Sequence, residues 1–222
     1  MVTPYYDADG ITLYHGDCRE ITEWLTADVL VTDPPYGIAW AAGALHRVRS
    51  IRRGAVQSIA HDEDVAARDA ALEMWGKSRP AVIFGSWRKP RPEPITHRLI
   101  WHKQGRYPGV SPASIFPNDE EVYLVGAGWV GKPAPSVFTT TEARHLQPAL
   151  IGHPTPKPLQ LMEFLLSRCP LGVVADPFAG SGSTLLAARA QGRLAIGVEL
   201  EERYCDLIAS RLAQGDLFGG AA

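Results

Sequence analysis

The chain has 222 residues, a formal net charge of −2 and three cysteines, Cys18, Cys169 and Cys205. This length suits one α/β domain with a sizeable core, and the charge alone indicates no nucleic-acid partner. The cysteines are far apart and fit no metal-binding spacing, so we expect no metal site and a reducing compartment. No apolar run approaches the roughly 20 residues of a membrane helix, and the first residues lack a signal-peptide pattern. We therefore expect a soluble, cytoplasmic protein.

The first predicted elements are a strand over Ile11–His15 and a short helix that ends near Leu25. Asp17 and Cys18 lie between the two elements. Asp17 either caps the helix or binds a ligand, and its position alone does not decide between these roles.

The central segment of the chain is Val29–Tyr36, which reads VLVTDPPY. Its apolar start predicts a buried strand, and the two prolines cannot continue a sheet ladder. The end of the segment should therefore project beyond the carboxyl edge of the sheet, where ligands bind in open α/β folds. It carries a carboxylate, a backbone carbonyl and an aromatic face, which can hold a planar base and its exocyclic amine. The candidate catalytic residues are Asp33, Pro34, Pro35 and Tyr36.

Two stretches of the chain are basic. Residues 37–60 form a long loop, which is either solvated or a mobile flap that meets phosphates. Residues 86–106 interleave basic residues with Trp87 and Trp101, as in nucleic-acid contact surfaces. The tryptophans could equally belong to the core, and we expect this for Trp101, which lies in the strand-like Arg98–His102. The candidate nucleic-acid-binding residues are Arg47, Arg49, Arg52, Arg53, Arg88, Lys89 and Arg106.

Further elements follow from hydrophobic periodicity. In the middle of the chain we predict a helix over Asp62–Trp75, strands over Ala81–Phe84 and Glu121–Val125, and an irregular stretch over 126–150. In the C-terminal part we predict helices over 159–168, which follows Pro158, over 184–192 and over Glu202–Leu212. Strands are predicted over Val173–Ala175 and Leu194–Val198.

A second ligand-binding segment is Asp176–Thr184, which reads DPFAGSGST and joins a strand to a helix. Gly180 and Gly182 allow backbone torsions and a close ligand approach that a Cβ would forbid. The segment is neither GxGxxG nor a phosphate loop, which disfavours dinucleotides and nucleoside triphosphates. Glu199 ends the next strand, where doubly wound sheets place an acid for ribose hydroxyls. An acid at the mouth of the turn suits a ligand with an amino-acid end and a nucleoside end, such as S-adenosylmethionine.

In combination these motifs resemble those of amino-group DNA methyltransferases of the DPPY type. DPPY resembles the catalytic motif of that family, and DPFAGSGST resembles its cofactor motif. The segment 153–158, HPTPKP, resembles the one that packs against the methionine part of the cofactor. The order of the motifs is permuted, as in the beta group of the family.

The resemblance implies an α/β fold with a doubly wound, mostly parallel sheet, which is a Rossmann-like methyltransferase fold with permuted motif order. It implies a single methyltransferase domain over residues 1–222. Within this domain we expect the mobile basic loop at about 37–60 and a small irregular target-recognition insertion at about 87–150.

Carried onto this sequence, the resemblance also implies roles for individual residues. Glu199 would bind the ribose and Asp17 the adenine amine of the cofactor, while the glycine turn would hold its methionine end. Asp33, Pro34 and Tyr36 would hold the target base. The candidate cofactor-binding residues are Asp17, Cys18, Asp33, Lys157, Asp176, Pro177, Phe178, Ala179, Gly180, Ser181, Gly182, Ser183, Thr184, Glu199 and Leu200.

The activity implied by the resemblance is methyl transfer from S-adenosylmethionine to an amine of double-stranded DNA, by base flipping. DPPY, rather than an SPPY-type sequence, favours adenine N6, and cytosine N4 is the alternative. A non-catalytic DNA- or cofactor-binding module of the same fold, or an RNA or protein substrate, are further alternatives. The sequence leaves open a homodimer, a cognate restriction endonuclease and whether the cytoplasm is that of a bacterium or a phage host.

Overall fold

The computed structural model describes residues 2–37, 64–104, 118–141, 153 and 155–214. The basic residues Arg47, Arg49, Arg52, Arg53 and Arg106 lie outside the described residues, as does almost all of the predicted basic loop at 37–60.

Within the described residues, nine strands form one sheet. The strands are β1 (Tyr6–Ala8), β2 (Ile11–His15), β3 (Val29–Thr32), β4 (Ala81–Gly85), β5 (His97–Lys103), β6 (Asp119–Val125), β7 (Val137–Thr140), β8 (Val174–Asp176) and β9 (Ala195–Glu199). The helices in the described ranges are α1 (Ala66–Trp75), α2 (Leu159–Leu166), α3 (Ser183–Ala190) and α4 (Glu202–Gln214), and a 3₁₀ turn spans Glu23–Thr26. The strand order is β1-β2-β9-β8-β3-β4-β6-β5-β7.

The middle of the sheet is parallel and contains a reversal of winding. Strands β2, β9, β8, β3 and β4 run parallel to one another. From the adjacent pair β8 and β3, the chain crosses through α3 to β9 on one side and through α1 to β4 on the other. Such a switch point leaves a crevice at the carboxyl ends of its two strands, and in open α/β sheets ligands bind there.

Apolar residues cover both faces of the sheet, as expected for strands buried on both sides. Leu30 and Val31 of β3 point to opposite faces, and both are 0% exposed. Val31 packs in the core formed with α2, α3 and α4. Leu30 packs in the core formed with Trp24 and Trp75, from the 3₁₀ turn and α1. The strand that ends in DPPY is therefore held rigidly between two cores.

The predicted strands and the three C-terminal helices are confirmed to within about two residues, and the helix predicted from Asp62 begins at Ala66. The first predicted helix is not present. Its place is taken by turns and the 3₁₀ turn, because so short a segment gains little from helix formation. Burial of Trp24, whose indole N–H donates to the Cys18 carbonyl at 2.9 Å, determines the local conformation instead.

The expected irregular stretch 126–150 contains a further strand, β7, near its middle. β7 pairs in parallel with the edge strand β5. The buried indole N–H of Trp101 donates to the Thr140 hydroxyl at 2.9 Å, which ties the two strands together. The described parts of the expected target-recognition region, 87–150, thus include three strands that continue the main sheet.

None of the described helices is long and apolar enough to cross a membrane. Residues in the described ranges include no group of three or more His, Cys, Asp or Glu side chains that could hold a metal ion. The three cysteines are buried free thiols.

Candidate active site

A cavity of about 310 Å³ opens at the carboxyl ends of β2, β9, β8 and β3. It joins the DPPY segment, which follows β3, to the glycine turn, which follows β8. The cavity is lined by all four candidate catalytic residues and by every candidate cofactor residue except Gly182. The structure therefore brings together two motifs that lie far apart in the sequence.

The glycine turn is compact because two of its residues have positive φ angles. Gly180 has φ +52° and Gly182 has φ +77°, in the left-handed region that favours glycine. A Cβ on Gly182 would lie 2.9 Å from the side chain of Ile208. A Cβ on Gly180 would lie 3.1 Å from the ring of His153, which lines the cavity. Because Gly180 has no Cβ, the space between its backbone and the His153 ring stays open. Because Gly182 has no Cβ, α3 can pack closely on α4.

Asp176 lies at the inner end of this turn and is 2% exposed. Its Oδ1 accepts hydrogen bonds from the Thr32 hydroxyl at 2.8 Å and from the Phe178 N–H at 3.1 Å. Burial raises the pKa of Asp176 to about 6. The carboxyl group is held by fixed donors at the junction of β3 and β8.

Glu199 lies at the end of β9 and is 7% exposed. Its Oε2 accepts the Gly180 N–H at 2.7 Å, and its Oε1 accepts the Glu201 N–H at 2.8 Å. Burial raises the pKa of Glu199 to about 7. Because each carboxylate oxygen has two lone pairs, Glu199 can also accept a ligand hydroxyl while it positions the glycine turn.

Asp17 follows β2 and also reaches the cavity. Its Oδ1 accepts the backbone N–H of Arg19 at 2.9 Å, and its carboxylate pairs with the Arg19 guanidinium. Asp17 therefore shapes the local turn and lines the cavity. Because the predicted helix is not present, Asp17 caps no helix there, and its role as a ligand-binding residue stays a prediction.

Asp33 is at the centre of a network of charged and polar groups at the other end of the cavity. Its Oδ2 lies 2.5 Å from the Lys157 ammonium, and its Oδ1 accepts the Tyr36 hydroxyl at 2.6 Å. The Glu120 Oε2 lies 3.2 Å from both the Lys157 ammonium and the Tyr36 hydroxyl. Lys103 pairs with the Oε1 of Glu120.

The network is largely buried, and its charges stabilise one another. Burial raises the pKa of Asp33, and the Lys157 charge partly offsets this effect. Burial alone would raise the pKa of Glu120, but the ammonium groups of Lys157 and Lys103 lower it to about 2. Burial disfavours the charged form of Lys157, yet its two carboxylate partners outweigh burial and raise its pKa. Burial and the same carboxylates raise the pKa of Tyr36 well above its ordinary value.

Sequence reasoning missed Glu120 and Lys103, and it placed Lys157 on the cofactor side. The structure places the Lys157 ammonium against Asp33, although the residue also lines the common cavity. A signal for Glu120 was present in β6: it occupies the same face as the buried Val122, so it continues an inward-facing row. The register of β6 against its neighbours was needed to recognise that signal.

Of the candidate nucleic-acid-binding residues, only Arg88 and Lys89 lie in the described part of the chain. They follow β4, and the Arg88 guanidinium carbon lies 5.4 Å from the ring of Trp87. Trp87 is 66% exposed, whereas Trp101 is 3% exposed. The expectation that Trp101 belongs to the core is confirmed.

Comparison with known proteins gives a consistent result. A family model described as DNA methylase (N6_N4_Mtase) matches residues 131–210. The chain is 26% identical to the type II methyltransferase M.ScaI of Streptomyces caespitosus, over 94% of this chain and 83% of the relative. It is 24% identical to the type II methyltransferase M2.DpnII of Streptococcus pneumoniae, over 96% of this chain and 93% of the relative.

Solved structures show the same fold. An M1.HpyAVI–SAM complex has a TM-score of 0.59 and 23% identity, covering 90% of this chain and 99% of that one. The cytosine-N4-specific PvuII DNA methyltransferase has a TM-score of 0.64 and 17% identity, covering 99% of this chain and 90% of that one. These two structures are similar to this chain in fold, which is the Rossmann-like fold of DNA methyltransferases. Residues 131–210 match the family model, and the relatives are type II methyltransferases, so the chain is similar to amino-group methyltransferases of the N6/N4 family.

Proposed function

We propose that the protein transfers the methyl group of S-adenosylmethionine to N6 of adenine in double-stranded DNA, after extrusion of the base. The observation that carries this proposal is the common cavity, which joins the carboxylate and aromatic ring of DPPY to the glycine turn. A cofactor and a planar base can meet there at the switch point of the sheet.

The cofactor end of the cavity fits S-adenosylmethionine. The absence of a Cβ at Gly180 leaves space beside its backbone. The carboxyl groups of Asp176 and Glu199 supply acceptors for ammonium and hydroxyl groups, and Asp17 supplies another at the mouth. When bound, S-adenosylmethionine supplies a methyl group already activated by its positively charged sulfur. The protein then needs chiefly to hold two substrates in line.

The base end of the cavity supplies acceptors and a stacking surface. We assign the Asp33 carboxylate and the Pro34 carbonyl as acceptors of the two amine hydrogens, which makes the nitrogen lone pair available. The same groups stabilise the positive charge that develops on the nitrogen. The amine sheds one proton in the overall reaction, and Asp33 is a suitable acceptor because burial raises its pKa. Stacking on Tyr36, worth about 1–3 kcal/mol, offsets part of the cost of extruding the base.

DNA contact outside the cavity is assigned to the loop after β4, where Arg88 and Lys89 accompany the exposed Trp87. We propose the region of about 87–150 as the target-recognition part of a single methyltransferase domain. Its strands β5 and β6 carry Lys103 and Glu120 to the cavity, so this region also forms one wall of the base-binding end.

Adenine is proposed over cytosine because the catalytic segment reads DPPY. The test uses unmethylated DNA and S-adenosylmethionine that carries a deuterated methyl group, followed by digestion to nucleosides and mass spectrometry. Labelled N6-methyldeoxyadenosine is the expected product. Detection of labelled N4-methyldeoxycytidine instead would show that the substrate base is cytosine. Cofactor binding without any labelled nucleoside, on DNA of varied sequence, would contradict the enzymatic proposal.

A further inference from the structure

Both oxygens of the Asp33 carboxylate are engaged in this structure. The Lys157 ammonium lies 2.5 Å from Oδ2, and the Tyr36 hydroxyl donates to Oδ1 at 2.6 Å. The proposed function, on which this inference rests, requires the same carboxylate to accept a hydrogen of the base amine. Each oxygen keeps a second lone pair, but the ammonium and the hydroxyl draw electron density from the carboxylate, so an incoming amine is held less strongly while both stay on Asp33.

Glu120 offers a second acceptor to each of these two groups. Its Oε2 lies 3.2 Å from the Lys157 ammonium and 3.2 Å from the Tyr36 hydroxyl. A small movement would transfer either donor from Asp33 to Glu120 without leaving it unpaired. This matters because a buried donor that loses its acceptor suffers the full cost of desolvation.

Strand pairing and an ion pair fix the position of the Glu120 side chain beside these two donors. It lies directly opposite Trp101 in the register of β5 and β6, so its side chain shares a face of the sheet with Trp101 and Lys103. Lys103 pairs with the other oxygen, Oε1, which leaves Oε2 to face the cavity.

The ammonium of Lys157 can move only a short way. Its nitrogen lies 5.0 Å from the ring centre of Phe84, 5.5 Å from that of Tyr36 and 6.0 Å from that of Trp101. These rings attract a cation from several sides, and the side chain is 6% exposed. The two carboxylates are therefore the alternative partners of one confined charge.

We propose that Glu120 is a positioning residue for the reaction: it takes over the Lys157 ammonium and the Tyr36 hydroxyl from Asp33 when the target amine binds there. Glu120 does not touch the methyl group or the amine. It acts by freeing the acceptor that does.

The test compares the wild-type protein with Glu120→Gln, which keeps the size of the side chain but removes its charge. Transfer of tritiated methyl groups from S-adenosylmethionine to unmethylated plasmid DNA is measured from pH 6 to pH 9. At pH 8 we expect kcat to fall at least tenfold, because Lys157 now pairs with Asp33 alone. The KM for S-adenosylmethionine should stay within twofold.

A pH profile separates this role from a general loss of structure. The groups that face Asp33 are Lys157, Tyr36, Glu120 and, from β8, Asp176. Glu120 raises the pKa of Asp33 by repulsion, so removing its charge should shift the acid limb of kcat to lower pH.

A double variant gives the second diagnostic readout. In Glu120→Gln/Lys157→Met, the cation that blocks Asp33 is absent, and we expect kcat to recover at least threefold relative to Glu120→Gln. Asp119→Asn is the matched control, because it removes one negative charge from the exposed neighbouring position of β6. It should leave both kcat and the pH profile unchanged.

The outcomes distinguish this inference from the proposed function. If the wild-type protein labels no DNA, the proposed function fails and the role of Glu120 fails with it. If the wild-type protein labels DNA and Glu120→Gln keeps its kcat within twofold, or the double variant is no more active than the single one, only the role of Glu120 is overturned. Thermal unfolding of each variant is measured first, and Glu120→Ala replaces Glu120→Gln in the same comparison if the latter does not fold.

Discussion

The Glu199 carboxylate accepts the Gly180 N–H at 2.7 Å, which ties the end of β9 to the turn that follows β8. The bond links the acid that we assign to the nucleoside end of the cavity to the backbone that we assign to the methionine end. A change in the charge of Glu199 should therefore affect both the stability of the fold and the shape of the site.

Stability should fall as the pH rises through neutrality. Burial raises the pKa of Glu199 in the folded protein to about 7, from an ordinary value of 4.5. The protonated form thus favours folding, fully below pH 4.5, and this contribution is lost as the pH rises through 7. We expect the Glu199 contribution to the free energy of unfolding to decrease by about 3 kcal/mol between pH 4.5 and 8. Urea unfolding, followed by tryptophan fluorescence at several pH values, measures the slope.

Glu199→Gln should flatten that slope between pH 5 and 7, because the group no longer titrates. It should also weaken binding of S-adenosylmethionine, measured by calorimetry, since one carboxylate oxygen becomes an amide donor. Glu73→Gln on α1 is the control, because Glu73 is exposed and pairs with the exposed Lys77. An unchanged slope in Glu199→Gln would show that other groups control the pH dependence.

Asp33→Ala should abolish methyl transfer while binding of S-adenosylmethionine largely survives. The substitution removes the proposed acceptor of the amine, whereas the glycine turn and Glu199 are untouched. Lys157 keeps Glu120 as a partner in this variant, so the fold should tolerate the change. Transfer of tritiated methyl groups to DNA and calorimetric binding of the cofactor are the two measurements. Full transfer activity in Asp33→Ala would contradict the mechanism.

Much of the site could be predicted from the sequence because it lies at strand ends. Asp33, Asp176 and Glu199 each follow an apolar run, and the carboxyl ends of parallel strands meet at one edge of a sheet. Local patterns were therefore sufficient to identify three acids that line one cavity.

The pairing of Lys157 with Asp33 and Glu120 could not be predicted in the same way. It depends on the register of β6 against β4 and β5, which a single strand pattern does not encode. Likewise, β7 reads VFTT, which shows no alternation of polar and apolar residues, and four residues are too few to distinguish a strand from a loop. Non-local pairing decided both cases.

Gly182→Ala should destabilise the protein more than Gly192→Ala does. Both glycines have positive φ angles, +77° and +65°, so each substitution carries a backbone cost of about 1–2 kcal/mol. Only at Gly182 would the new Cβ also crowd Ile208, at 2.9 Å, whereas nothing lies within 4 Å at Gly192. Each variant loses some free energy of unfolding relative to the wild-type protein. The difference between the two losses therefore measures the contribution of the packing of α3 on α4. Equal losses would show that the turn relaxes without cost.

Lys157→Met should be strongly destabilising, although methionine fits the apolar part of the space. The substitution leaves the carboxylates of Asp33 and Glu120 facing each other without the cation between them. Removing one partner of a buried ion pair typically costs 3–5 kcal/mol, and we expect a loss of about this size. Lys77→Met removes an exposed partner of Glu73 and should cost no more than about 0.5 kcal/mol. Urea unfolding at pH 8 gives both values, and a loss in Lys157→Met as small as that in Lys77→Met would mean that the two carboxylates are well solvated.

Because Glu120→Gln/Lys157→Met leaves one of these carboxylates instead of two, it should be more stable than Lys157→Met. The difference between the two free energies of unfolding measures how strongly Glu120 and Asp33 repel each other.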